Sequence, residues 1–142
     1  MKFTNFVTLL FVSGYAVAQN AFIGAPSEGA SIKADSYFTV EVDRPNSLTG
    51  SEEIAVAISL LHCGGDSCPP PTDVLGTTLY KGPYSPQLHS ETQSKPPYQN
   101  FSVYLPYNFQ KGKAQLSVSH LTFIGAGPFP FFEVKNTTIN VI

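Results

Sequence analysis

The chain has 142 residues, 42% of them hydrophobic, a length and composition that suit one domain with its own core. Only 13% of the residues are charged, and the part that follows residue 18 carries seven basic and ten acidic side chains, a net charge of −3. This balance excludes a basic nucleic-acid-binding stripe and disfavours attraction to an anionic membrane surface.

Residues 1–18 have the three parts of a secretory signal peptide. A positive start at Lys2 precedes the apolar run of residues 6–12, which is far shorter than the roughly 20 residues that span a bilayer. Small residues at Ala16 and Ala18 then predict cleavage after Ala18, so that residues 19–142 form one secreted domain. A buried N-terminal strand or helix is the alternative, and we expect no membrane span elsewhere.

Short apolar segments separated by Gly and Pro predict strands throughout the mature chain. In residues 36–43, Phe38, Val40 and Val42 alternate with polar side chains, which is the period of a half-buried strand. The seven predicted strands are residues 20–25, 36–43, 53–62, 74–80, 98–105, 114–124 and 131–142. Their number and spacing predict an all-β fold, an antiparallel sandwich of the immunoglobulin-like or fibronectin-III-like kind.

Cys63 and Cys68 are the only cysteines, and an even count in a secreted chain predicts one disulfide. The loop between them is short and rich in Gly, so the bridge is expected to fix one turn. A zinc site is the weaker interpretation, because His62 is adjacent but a second pair of ligands is missing.

Two triplets have the pattern of N-glycosylation acceptors, at Asn100 and Asn136. Neither has Pro in its middle position. Alternation in residues 98–105 places Asn100 outward together with Tyr98 and Tyr104, where a glycan could be accommodated.

Residues 81–97 contain four prolines and show no periodicity. This is the longest irregular segment of the predicted fold, and long ordered loops in small domains often carry function.

The sequence predicts no enzyme active site and no metal or cofactor. His120 lies on the inward face of its predicted strand and is expected to be a hydrogen-bonded core residue. Serine occurs in no nucleophile-elbow pattern. Glu52 and Glu53 point to opposite faces of one strand, although paired carboxylates drawn from distant parts of the chain remain open.

Five segments occur in a characteristic order and spacing: LYKGPYSPQ at residues 79–87, NFSV at 100–103, GKAQLSVSH at 112–120, IGA at 124–126 and NTTI at 136–139. Together they resemble the fungal necrosis-inducing secreted protein family. The resemblance covers most of the mature chain and is densest from residue 75 onward.

This resemblance implies a non-enzymatic extracellular effector that suppresses pattern-triggered immunity by binding plant receptor-associated kinases and can induce cell death. The resemblance leaves open whether the protein enters host cells, and we expect the protein to be a monomer. The GPYSPQ loop suggests Tyr80, Pro83, Tyr84 and Gln87 as part of a partner surface, unless the loop only turns the chain. A module that binds cell-wall polysaccharide is the alternative function, with exposed tyrosines as sugar platforms: Tyr37, Tyr80, Tyr84, Tyr98, Tyr104 and Tyr107.

Overall fold

A computed structural model describes residues 20–46, 49–92 and 94–142 of the chain. The predicted signal peptide lies outside these described residues. The strands are β1 (Phe22–Ala25), β2 (Ala30–Ile32), β3 (Ser36–Asp43), β4 (Ser51–His62), β5 (Thr77–Pro83), β6 (Tyr98–Leu105), β7 (Gly112–Ile124) and β8 (Phe129–Val141). A 3-10 helix occupies Ser90–Thr92. Within the described ranges, no helix has the length and apolar character that a membrane crossing would need.

The strands form two sheets that face each other as a β-sandwich, which confirms the predicted fold class. The small sheet has the order β1-β3-β6, and the large sheet has the order β2-β8-β7-β4-β5. All pairs are antiparallel except β2 with β8, which run parallel. The sequence predicted about seven strands, and the structure adds an eighth, β2, which is only three residues long and pairs in parallel with β8.

The core lies between the sheets and is built by the alternation that the sequence shows. Val40 and Val42 of β3 are fully buried, and so are the inward side chains of β4, β7 and β8 that face them. Removing each large apolar side chain from water contributes about 1.5–3 kcal/mol. The fully or nearly fully buried set includes Ile58, Leu60, Val103, Leu105, Leu116, Val118, Ile139 and Val141.

Strand β5 begins three residues later than predicted and runs on to Pro83. The sequence pattern places Lys81-Gly82-Pro83 in the irregular segment, because Gly and Pro usually end strands. Strand β5 is at the edge of the large sheet, however, and an edge strand tolerates Pro because one side of it needs no ladder hydrogen bonds.

The segment between β4 and β5 folds back over the outer face of the large sheet. It contains the predicted disulfide, Cys63 to Cys68, with a Cα–Cα distance of 4.8 Å. Gln115 of β7 donates from Nε2 to the Pro69 carbonyl at 3.1 Å, and Lys113 donates from Nζ to the Asp66 carbonyl at 2.7 Å. These bonds hold the segment on β7 independently of the bridge.

Replacing Cys63 and Cys68 together by Ser is expected to cost less than about 3 kcal/mol, because the closed loop is shorter than the 15 residues for which that figure holds. Urea unfolding of the double variant and of the oxidised parent would measure the difference. A larger loss would mean that the bridge supports the fold beyond its own turn.

Candidate functional site

A cluster of ionisable side chains is buried between the sheets at one end of the core. His120 of β7 lies between two carboxylates, Glu53 of β4 and Glu133 of β8. Its Nε2 is 2.5 Å from Glu53 Oε2, and its Nδ1 is 3.0 Å from Glu133 Oε1. Glu133 is the register partner of His120, and Glu53 is the register partner of Thr122, two residues further along β7, so the sheet itself brings these groups together.

The geometry makes His120 an imidazolium. Ionised carboxylates can only accept hydrogen bonds, so both ring nitrogens must donate. Burial lowers the pKa of His120, but the hydrogen bonds to Glu133 and Glu53 outweigh it and hold the pKa above its usual value. Burial likewise raises the pKa of Glu53, and hydrogen bonds from His120, Ser51 and Arg44 reverse this and lower the pKa to about 2.

Further charges extend the cluster at both ends. Arg44 donates from Nε to Glu53 Oε1 at 2.7 Å. At the other end, Lys135 Nζ lies 3.0 Å from Glu133 Oε2, and the Ala21 amide donates to Glu133 Oε1 at 2.7 Å. The pKa of Glu133 is therefore lowered: burial raises it, but the bonds from His120, Ala21 and Lys135 prevail.

The cluster joins the two sheets at two points, because Arg44 follows β3 and Ala21 precedes β1, whereas their partners Glu53 and Glu133 lie in the large sheet. Both nitrogens of His120 are occupied, and the edge of Tyr84 lies against the imidazole with ring centroids 5.2 Å apart. The expectation of a hydrogen-bonded core histidine is confirmed. Its two carboxylate partners were missed, because 67 and 13 residues of sequence separate them from His120. In the part of the chain that the structure describes, no three His, Cys, Asp or Glu residues are grouped so as to hold a metal.

The irregular segment covers part of the outer face of the small sheet. Lys95 donates from Nζ to both oxygens of Glu41, at 2.7 and 3.0 Å, and lies 5.1 Å from the ring centre of Tyr98. His89 stacks on the same ring at 4.2 Å. Tyr98 is therefore buried, although it faces away from the core. The interpretation of Tyr98 as an exposed sugar platform was wrong for this reason.

Asp43 lies beside Glu41 beneath this covering segment. Burial and the neighbouring Glu41 charge raise the pKa of Asp43 to about 6. Its Oδ1 has no hydrogen-bond partner among the described residues.

The four predicted partner residues do not form one surface. Tyr84 is only 2% exposed, and its hydroxyl donates to the Val42 carbonyl at 3.1 Å. It is a core residue, and its prediction as a contact or sugar platform was wrong. Tyr80 is half-buried with its ring 4.7 Å from that of Phe101. Pro83 and Gln87 are exposed, and their role stays a prediction.

A group of exposed tyrosines lies on the outer face of the small sheet, away from the covering segment. Tyr37 and Tyr104 are register partners on β3 and β6, with ring centroids 5.2 Å apart and planes inclined by 50°. They are 73% and 39% exposed, and Tyr107 in the following turn is 77% exposed. The Tyr104 hydroxyl donates to Asp35 Oδ1, which fixes the ring. We call Tyr37, Tyr104 and Tyr107 the tyrosine surface.

The two predicted glycosylation asparagines are both exposed and lie on opposite sides of the sandwich. Asn100 is on the outer face of the small sheet, and Asn136 is on the outer face of the large one. Asn136 donates from Nδ2 to Gln115 Oε1 at 3.3 Å.

These features define a β-sandwich domain protein with an ionic cluster in its core and an aromatic surface on one sheet. The sequence matches the Nis1 family over residues 16–140, and the chain belongs to that family. This bears out the resemblance at the level of the family. No curated protein matches the chain.

Six solved chains match the fold at low sequence identity. A superoxide reductase (neelaredoxin) from Ignicoccus hospitalis is 15% identical, with a TM-score of 0.47, over 89% of this chain and 88% of that chain. A variant of the same reductase gives a TM-score of 0.48 at 15% identity, over 87% of this chain and 81% of that chain. Murine CRIg gives a TM-score of 0.44 at 11% identity, over 87% of this chain and 98% of that chain.

Proposed function

We propose that this protein is a secreted, non-enzymatic fungal effector that dampens plant pattern-triggered immunity by binding receptor-associated kinases, and that induces cell death when abundant. The observation that carries the proposal is membership of the Nis1 family over nearly the whole chain. The resemblance of residues 75–142 to necrosis-inducing effectors supplies the kind of partner.

The tyrosine surface is the contact region that the geometry favours. Protein interfaces are enriched in Tyr at their centres, because its ring supplies area while its hydroxyl tolerates water. Tyr37 and Tyr107 are largely exposed, and Tyr104 is held in place by Asp35. A side chain that is already ordered loses less entropy on binding.

Replacing Tyr37 and Tyr104 together by Ala is expected to weaken binding to a kinase domain by at least roughly 30-fold, since interface hot spots are worth about 2 kcal/mol or more. Purified residues 19–142 would be titrated against the cytoplasmic kinase domains of plant immune co-receptors by calorimetry. Circular dichroism would verify that the variant is folded.

Phe129→Ala is the matched control, because Phe129 is an aromatic residue that is 52% exposed but lies on β8 of the large sheet, outside the tyrosine surface and the covering segment. The alternative function is a module that binds wall polysaccharide, in which the exposed tyrosines would stack on sugar rings. Retention of the protein on insoluble chitin and β-glucan, measured in the same series, tests it. Glycan retention without kinase binding would overturn the effector proposal. Kinase binding that survives the double substitution would overturn only the assignment of the surface.

A further inference from the structure

An outer groove of about 560 Å³ lies on the large sheet, beneath the segment that joins β4 and β5. Its floor is formed by Ser119 of β7 and Val134 of β8. One wall is residues 71–76, and the other is Phe132. The volume is within the range of about 300–1,000 Å³ typical of ligand sites.

The lining of the outer groove is incompletely satisfied. Ser119 is 8% exposed, and its hydroxyl has no hydrogen-bond partner among the described residues. The hydroxyl of the neighbouring Ser117, which is fully buried, also has no partner there. Buried hydroxyls are normally paired, because leaving one unpaired costs about 1–3 kcal/mol. Phe132 is 63% exposed and Val74 is 41% exposed, which leaves apolar surface uncovered beside these hydroxyls.

Asn136 lies on the same face of β8 as the groove, two residues along the strand from Val134 of its floor. It is the register partner of Ser117, while Val134 is the partner of Ser119. Residues 132, 134 and 136 share one face of β8, so Val134 lies about 7 Å and Phe132 about 13 Å along the strand from Asn136. Asn136 also begins the acceptor triplet Asn136-Thr137-Thr138.

We propose that an N-linked glycan on Asn136 is the occupant of the outer groove. Its first sugars run along β8 with their C–H faces and acetyl methyl against Val134 and Phe132. A glycosylated amide keeps one N–H, so the bond from Asn136 to Gln115 persists. Asp73 is the one charged residue among those that line the groove, which suits an uncharged occupant.

The glycan thus acts as part of the fold on this face, whereas a glycan on Asn100 only projects from the other sheet. Attachment needs the secretory route, so this inference rests on the secretion stated in the proposed function. The glycan inference does not depend on kinase binding, so the inference and the proposed function can fail separately.

The test uses the full chain secreted from a yeast host, with occupancy of each asparagine read by glycopeptide mass spectrometry. An endoglycosidase that leaves a single N-acetylglucosamine gives the trimmed form. Thr138→Ala removes the acceptor triplet but keeps the Asn136 side chain, and Thr138→Ser keeps the triplet. Asn100→Gln is the control for loss of a glycan elsewhere.

We expect Thr138→Ala to bind the uncharged dye Nile red several-fold more strongly than the parent. Amide exchange in residues 71–76 and 129–136 should also become faster. Thr138→Ser and Asn100→Gln should behave as the parent does. The trimmed form should fall between the parent and Thr138→Ala, because its single sugar reaches Val134 but not Phe132. A secreted chain without a glycan on Asn136, or a Thr138→Ala variant with unchanged dye binding and exchange, would overturn the inference. Efficient secretion in either case would leave the proposed function standing.

Discussion

Replacing Glu53 by Leu is expected to lower the free energy of unfolding by about 3–5 kcal/mol, the cost of removing one partner from a buried ion pair. Leu has a similar volume, so the loss is mainly electrostatic. The substitution leaves the fully buried imidazole of His120 with one carboxylate instead of two, and it takes away the acceptor of Arg44 Nε. Urea unfolding near pH 5.5 would measure the change.

The difference between parent and variant should depend on pH with a defined sign. The pKa of Glu53 is lowered to about 2 from 4.5, so its contribution is present above pH 4.5 and is lost as the pH falls towards 2. The pKa of His120 is raised from 6.5, so its contribution is complete below pH 6.5 and is lost as the pH rises through the folded value. The groups facing His120 are Glu53, Glu133 and Tyr84, with Arg44 and Lys135 behind the carboxylates. The variant should therefore differ most from the parent between pH 4.5 and 6.5.

Glu52→Leu is the matched control for this prediction. Glu52 is the neighbouring residue on β4 but is exposed, and surface substitutions usually change stability by no more than about 0.5 kcal/mol. Equal losses for the two variants, or a difference that does not vary with pH, would contradict the assignment of His120 as an imidazolium.

Gly76→Ala is expected to cost about 2–5 kcal/mol, from an unfavourable backbone conformation and from a steric clash. Gly76 has a φ of +75°, and a Cβ added there would fall against the Leu60 carbonyl oxygen and 2.7 Å from the Leu61 Cα. Both atoms belong to the backbone of β4, which cannot move aside without disturbing the large sheet. Thermal and urea unfolding would measure the loss.

Gly29→Ala separates the two causes. Gly29 has nearly the same φ, +77°, but nothing lies within 4 Å of an added Cβ. It should cost only about 1–2 kcal/mol, the conformational part alone. If Gly76→Ala were no worse than Gly29→Ala, the close approach of the segment to β4 would not limit stability.

The strands predicted best are those with strict alternation. The bounds of β3 and β6 are as the sequence predicts, because one face of each is apolar and turn residues flank both. Strand β2 was missed because three residues cannot show a period, and it forms only by pairing with β8. The end of β5 was mispredicted for a similar reason. Whether Lys81-Gly82-Pro83 can extend a strand depends on the position of that strand at the edge of the sheet, which the local sequence does not show.

The candidate sites were harder to predict, because they depend on contacts between distant residues. Burial of His120 follows from its own strand, but Glu53 and Glu133 reach it through strand register. Tyr84 and Tyr98 show the opposite error. The local sequence pattern predicted that both side chains are exposed and free to contact a ligand. In the structure, Tyr84 packs in the core, and Lys95 and His89 cover Tyr98.

The order of strands in the large sheet has a consequence for synthesis. Its middle strand is β7 and one of the two strands beside it is β8, and these are the last of the described strands to be made. Strands β2 and β4 have no sheet partners on their inner sides until β8 and β7 arrive. A chain emerging from the ribosome can therefore pair β1 with β3 early but cannot close the sandwich. Because most strand pairs join residues that are far apart in sequence, closure is also expected to be slow. The folded domain thus forms only after β8 has been made.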